Sequence, residues 1–110
     1  MPLTDKTGAP VTVEKKSDEF TISVEGKPVG LEAFADRDGQ RVFYHTEIDE
    51  AFGGRGLGTV LIAEALAVTR GEGLRIVAVC PMVAGFLKKH PEFDDIVDVA
   101  TPQILDSLPS

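Results

Sequence analysis

Apolar and polar residues alternate through the first half of the chain. Val11-Thr12-Val13-Glu14 and Phe20-Thr21-Ile22-Ser23-Val24 have the two-residue period of half-buried strands. Ser17-Asp18 offers a turn between them. Gly26-Lys27-Pro28 offers a second, since Gly tolerates positive φ and Pro presets its own. Val29 to Ala35 is the third strand, and Asp36-Arg37-Asp38-Gly39 is a hairpin signal. The fourth strand, Arg41 to Ile48, alternates most cleanly. Its pattern places Val42, Tyr44, Thr46 and Ile48 on one face and Phe43, His45 and Glu47 on the other. Four strands joined by short turns predict an antiparallel meander.

The period then changes. Apolar residues at 57, 60, 61, 65 and 68 predict a helix over Leu57 to Thr69, with Thr59, Ala63, Ala67 and Arg70 on its small or polar side. Gly71-Glu72-Gly73 ends it. Leu74 to Val79 is a mostly apolar fifth strand, and the strand–helix–strand order makes it parallel to the fourth. Pro81 opens a short helix from Met82 to Lys89. Thr7-Gly8-Ala9-Pro10 reads as a loose leader, and the acidic tail 94–110 carries one weak helical signal around Gln103 to Leu108. The expectation is an α/β (α+β) domain spanning 1–110 with its core in about 11–93. Its sheet is mixed and mostly antiparallel, with about five strands, a crossover helix and a second short helix.

A length of 110 residues supports one core, not two. The net charge of −7 argues against nucleic acid as a partner, because clustered Lys and Arg drive that binding. It favours solubility and, secondarily, cationic partners such as a small amine or a basic peptide. One cysteine, Cys80, excludes an intramolecular disulfide, and no basic flank precedes an apolar run at the N-terminus. The expected location is cytoplasmic, with no membrane contact. One cysteine and two histidines without ligand spacing predict no metal site.

The chemistry concentrates where the fourth strand meets the first helix, at Gly53-Gly54-Arg55-Gly56-Leu57-Gly58. Glycines let main-chain N–H groups approach a ligand, and a helix N-terminus leaves its first amides unpaired and favours phosphate. Arg55 offers a charged contact. The same glycines would also serve a tight connection with nothing bound. Two nucleotide motifs fail: Thr59 stands where a P-loop needs Lys, and Leu61 where a dinucleotide fingerprint needs a small residue.

The turn resembles the coenzyme-A loop of the GNAT superfamily of acetyl-CoA-dependent N-acetyltransferases. That signature is Gln or Arg, two variable residues, Gly, one variable residue, then Gly or Ala. Gly56-Leu57-Gly58 matches its second half, while Gly53 stands where Gln or Arg is usual. His45-Thr46-Glu47-Ile48, Cys80-Pro81-Met82-Val83 and His90-Pro91-Glu92-Phe93 match, in order and spacing, a branch of small single-domain members. Met82 departs from the aromatic residue usual there. The resemblance covers Val11 to Phe93.

The resemblance implies a minimal GNAT-like fold whose fourth and fifth strands splay apart to take the pantetheine arm of acetyl-CoA near Glu47 and Ile48. The pyrophosphate would rest on amides of Arg55 to Thr59. The cofactor-contacting set is then Ile48, Gly53, Gly54, Arg55, Gly56, Leu57, Gly58, Thr59 and Phe86. The acceptor side would be open or completed by a second subunit in a homo-oligomer.

Acetyl transfer needs a base for the amine and an acid for the departing thiolate. His45 and Glu47, two apart on one strand, are candidate bases, as against a packing histidine and a solvated glutamate. Cys80, at a strand end before a helix, is a candidate acyl carrier, as against a buried filler. Larger relatives often carry a tyrosine general acid on the helix after the fifth strand; here that helix offers Phe86, and the only tyrosine is Tyr44. The expected activity is acetyl-CoA-dependent N-acetylation of an unidentified primary amine. The alternative is a module that binds or senses acetyl-CoA without turnover.

Overall fold

The computed structural model describes residues 3–108. The strands are β1 (Leu3–Thr4), β2 (Pro10–Lys15), β3 (Glu19–Val24), β4 (Lys27–Arg37), β5 (Gln40–Ile48), β6 (Arg75–Ala78) and β7 (Val97–Asp98). The helices are α1 (Leu57–Gly71), α2 (Pro81–Lys89) and α3 (Pro102–Asp106), with short 3₁₀ turns at Glu50–Phe52 and Pro91–Ile96. The strands lie in chain order across one sheet, antiparallel from β1 to β5 and parallel from β5 to β7.

The sheet has seven strands, not the expected five. β1 and β7 are two residues each, too short to show a period, and exist through their pairing with β2 and β6. The leader is not loose. The buried Asp5 carboxylate accepts hydrogen bonds from Thr7 N–H at 2.8 Å, Thr7 Oγ1 at 2.6 Å and Ala9 N–H at 3.0 Å, fixing the turn into β2.

α1 covers one face of the sheet. Leu57, Leu61, Ala65 and Leu66 close over Phe20, Phe34 and Phe43, whose ring centroids lie 5.2–6.3 Å apart. Each of the leucines and phenylalanines contributes about 1.5–3 kcal/mol by leaving water. The guanidinium of Arg41 is buried at the edge of this cluster, 4.5 Å from the Phe34 ring. Asp36 and Glu72 each accept from it at 2.8 Å, tying β4, β5 and the end of α1 together. On the opposite face α3 sets Ile104 against Val42 and Val77.

β5 departs from the predicted alternation. The pairing runs Ala33↔His45 and then Phe34↔Phe43, so Tyr44 is an extra, bulged residue. The bulge changes the parity of the strand. Phe43, with Ile48 beyond it, packs on the α1 side, Thr46 on that side meets Glu32, and Val42 belongs to the opposite cluster. His45 and Glu47 are exposed on the other face. Uninterrupted alternation could not place Phe43 and Thr46 on one side.

Candidate functional site

β6 pairs with β5 only from Gln40 to Phe43. Val79 N–H and Cys80 N–H then both donate to the Phe43 carbonyl at 2.9 Å, and the chain turns into α2. The rest of β5, Tyr44 to Ile48, extends past the end of β6 and leaves that edge of the strand open. A hollow of about 450 Å³, lined by Thr59, Pro81, Met82, Gly85 and Phe86, lies where α2 faces the start of α1.

The glycine turn closes this region at the α1 end. Gly54 and Gly56 have φ of 79° and 74°, a conformation that side chains disfavour. Gly56 is the helix N-cap, no side chain caps it, and the first helical bond is Val60 N–H to the Gly56 carbonyl. The amides of Leu57, Gly58 and Thr59 therefore have no partner within the helix and point out along its axis. Gly53 plays a different part, its N–H closing the 3₁₀ turn on the Glu50 carbonyl at 3.1 Å. The Leu57 side chain is in the core, so only its main chain faces outward.

Arg55 does not reach over the amides. Its guanidinium lies 4.7 Å from the Phe52 ring and 3.4 Å from Asp5 Oδ2, and its carbonyl accepts from Lys6 N–H at 3.0 Å. Lys6 instead crosses the turn, with its stem carbons where a side chain on Gly56 would begin. The sequence held no sign of this, because Lys6 comes near the turn only through the Asp5 loop. Gly58 makes room for the Met82 methyl of α2, which lies 2.8 Å from where a Cβ would be. Phe86 is nearly buried, with its ring stacked on His90 at 3.8 Å.

The three candidate catalytic residues are not brought together. His45 Nε2 and Glu47 Oε1 form an exposed pair at 3.3 Å on the outer sheet face. Cys80 is buried on the α1 side, its Sγ 2.9 Å from Thr46 Oγ1. Thr46 also hydrogen-bonds Glu32 Oε1. Glu32 is fully buried, and its Oε2 has no hydrogen-bond partner among the described residues. Burial raises its carboxyl from the ordinary 4.5 to about 7, against the opposing pull of the Thr46 hydroxyl and His45. Simple alternation along β4 groups Glu32 with Gly30 and Phe34 and opposite the apolar Val29, Leu31, Ala33 and Ala35, which hid it. The pairing with β3 skips Val29, and it is Glu32 and Phe34 that face the core.

A groove of about 720 Å³ opens beside Glu47, bordered by Glu19, Thr21, Leu31, Asp49 and Glu50. Among the described residues no group of three His, Cys, Asp or Glu is disposed to hold a metal ion, and no helix is long and apolar enough to cross a membrane.

Residues 19–96 match the family model described as GCN5-related N-acetyl-transferase. The fold matches the solution structure of a GCN5-like protein of Staphylococcus aureus, proposed to be an N-acetyltransferase, with a TM-score of 0.62 at 20% identity. The match covers 83% of this chain and 91% of that one. No curated protein matches the sequence.

Proposed function

The chain belongs to the family of GCN5-related N-acetyltransferases, and from that premise we propose that it transfers the acetyl group of acetyl-CoA to a primary amine. One observation carries the coenzyme half of this reading: the uncapped amides of Leu57 to Thr59 lie beside a strand edge left open where β5 extends past β6. Amides at a helix start suit a pyrophosphate, and an open edge suits the amide-bearing pantetheine arm, which can pair with a strand as a peptide does. Lys6, beside Gly56, supplies a cation for the phosphates.

The amine half rests on charge. The groove beside Glu47 carries Glu19, Glu47, Asp49 and Glu50 and no Lys or Arg, so it favours a cationic acceptor such as a small amine or the lysine of a basic peptide. Glu47, aided by His45 at 3.3 Å, stands at that groove as the candidate base.

The test is ligand binding followed by turnover. At acetyl-CoA about 100 times its dissociation constant, folding gains about 2.7 kcal/mol, visible as a raised thermal midpoint. Free thiol released in the presence of a panel of amines and basic peptides then reports transfer. Binding without thiol release across the panel leaves a sensing module instead, and an unmoved midpoint at saturating acetyl-CoA ends both readings.

A further inference from the structure

We propose that Glu32, acting through the Thr46 hydroxyl, is the proton holder that lets Cys80 take the acetyl group before the amine does. This deepens the acetyl-transfer reading and rests on it, but the relay itself is a property of three side chains. Cys80 Sγ lies 2.9 Å from Thr46 Oγ1, and the same Oγ1 hydrogen-bonds Glu32 Oε1. The three groups form one line from a strand end, across β5, to β4. The unpartnered Oε2 of a fully buried glutamate is the second, independent sign that this line is more than packing. A buried carboxyl with an unpaired oxygen costs stability, and an apolar residue of similar size would have been cheaper to bury.

The charge arithmetic favours a relay. In one arrangement the thiol donates to Thr46 Oγ1 and the Thr46 hydroxyl donates to a Glu32 carboxylate. In the other, Glu32 holds a proton and donates to Thr46, which donates to a Cys80 thiolate. Two short hops convert one into the other, moving the site's single negative charge onto sulfur without any proton leaving the core. In acyl transfer, Sγ bonds the acetyl carbon and the carbon's bond to the donor's leaving atom breaks. The thiol proton passes to Thr46 as the Thr46 proton passes to Glu32, and the leaving group departs with the bonding electrons.

The surroundings allow Glu32 to titrate without a strong partner. Across from it β3 presents Phe20, the buried residues of α1 and α2 carry no ionisable group, and on β5 Tyr44 and the exposed pair of His45 and Glu47 flank Thr46, with Arg41 farther along and already held by Asp36 and Glu72. Its carboxyl titrates near 7, close to where a proton acceptor is most effective.

The experiment uses p-nitrophenyl acetate, a small activated acetyl donor that needs no coenzyme site, with mass spectrometry reporting acetylation of Cys80. In the wild-type chain the rate should rise with pH to a plateau with a midpoint near 7, following Glu32. Glu32→Gln should lose that midpoint and react on the order of 10²-fold more slowly. Thr46→Val, which keeps the volume and carboxyl but breaks the line, should do the same even if the glutamine variant folds poorly. Thr46→Ser, which keeps the hydroxyl, should restore the profile. Overlaying profiles for wild type and Thr46→Val, or no acetyl-Cys80 in the wild type, would overturn the proposal. If p-nitrophenyl acetate gives the expected profile while acetyl-CoA leaves Cys80 unmodified, the relay stands and the coenzyme reading falls.

Discussion

Gly30 and Gly58 show how little of a glycine's role its identity reveals. A Cβ on Gly30 would fall 2.6 Å from Ile48 Cδ1 and 2.8 Å from the Glu47 carbonyl oxygen. The carbonyl belongs to the strand and cannot move aside, so Gly30→Ala is expected to lose about 1–3 kcal/mol, read as a lower urea midpoint. The same Cβ on Gly58 would meet only the terminal methyl of Met82, at 2.8 Å, the free end of a flexible and half-exposed side chain. Gly58→Ala should therefore leave the midpoint nearly unchanged, although Gly58 is the residue that belongs to the recognisable glycine turn. Gly30, outside any motif, is the one that sits against Ile48, on the β4 side of β5.

Among the elements, the docking of α3 on the sheet and the β5 bulge carry the largest departures from expectation. The tail gave one weak helical signal, yet Ile104 is buried on Val42 and Val77, and Arg37 holds the helix through Ser107 Oγ at 2.9 Å and the Gln103 carbonyl at 3.2 Å. Ile104→Ala should cost about 2 kcal/mol or more by leaving a cavity over those valines, measured as a shift in chemical unfolding. The long elements were legible because their periods persist. β3, β4, β5 and α1 all lie within two or three residues of the spans predicted from alternation and from the 57, 60, 61, 65, 68 spacing. The bulge was not, because Tyr44 breaks the pairing with β4 and not the local pattern. Its effect on the site is decisive: it puts Thr46 on the side of Phe43 and Cys80, while His45 and Glu47, which the sequence had set beside the same thioester as Cys80, face the other way.

For the whole molecule, Glu32 ties the site to stability. Its carboxyl keeps a proton up to about 7 in the folded chain, against an ordinary 4.5. Between those values the folded state binds the proton and the unfolded state has released it, so stability falls as pH rises across the window and stays lower above it. A shift of that size corresponds to roughly 3 kcal/mol. Glu32→Gln should remove this slope, gaining on the wild type between pH 5 and 8 in paired unfolding titrations; parallel curves would show that Glu32 is not the cause. Asp5, Glu72, Asp95 and Asp98 act in the opposite sense. Thr7 lowers Asp5, Lys15 and Arg41 lower Glu72, Arg70 lowers Asp95, and Arg75 lowers Asp98; their contributions are lost as pH falls below the ordinary carboxylate range. Sequence alone determined the meander, the crossover helix and the glycine turn, since periodicity and turn chemistry are local properties of consecutive residues. Only the tertiary structure decided that Lys6 lies on that turn and that Glu32, Thr46 and Cys80 share one line. Those contacts join residues far apart in the chain: the first depends on the Asp5 loop, and the second on one bulged residue whose place is set by the neighbouring strand.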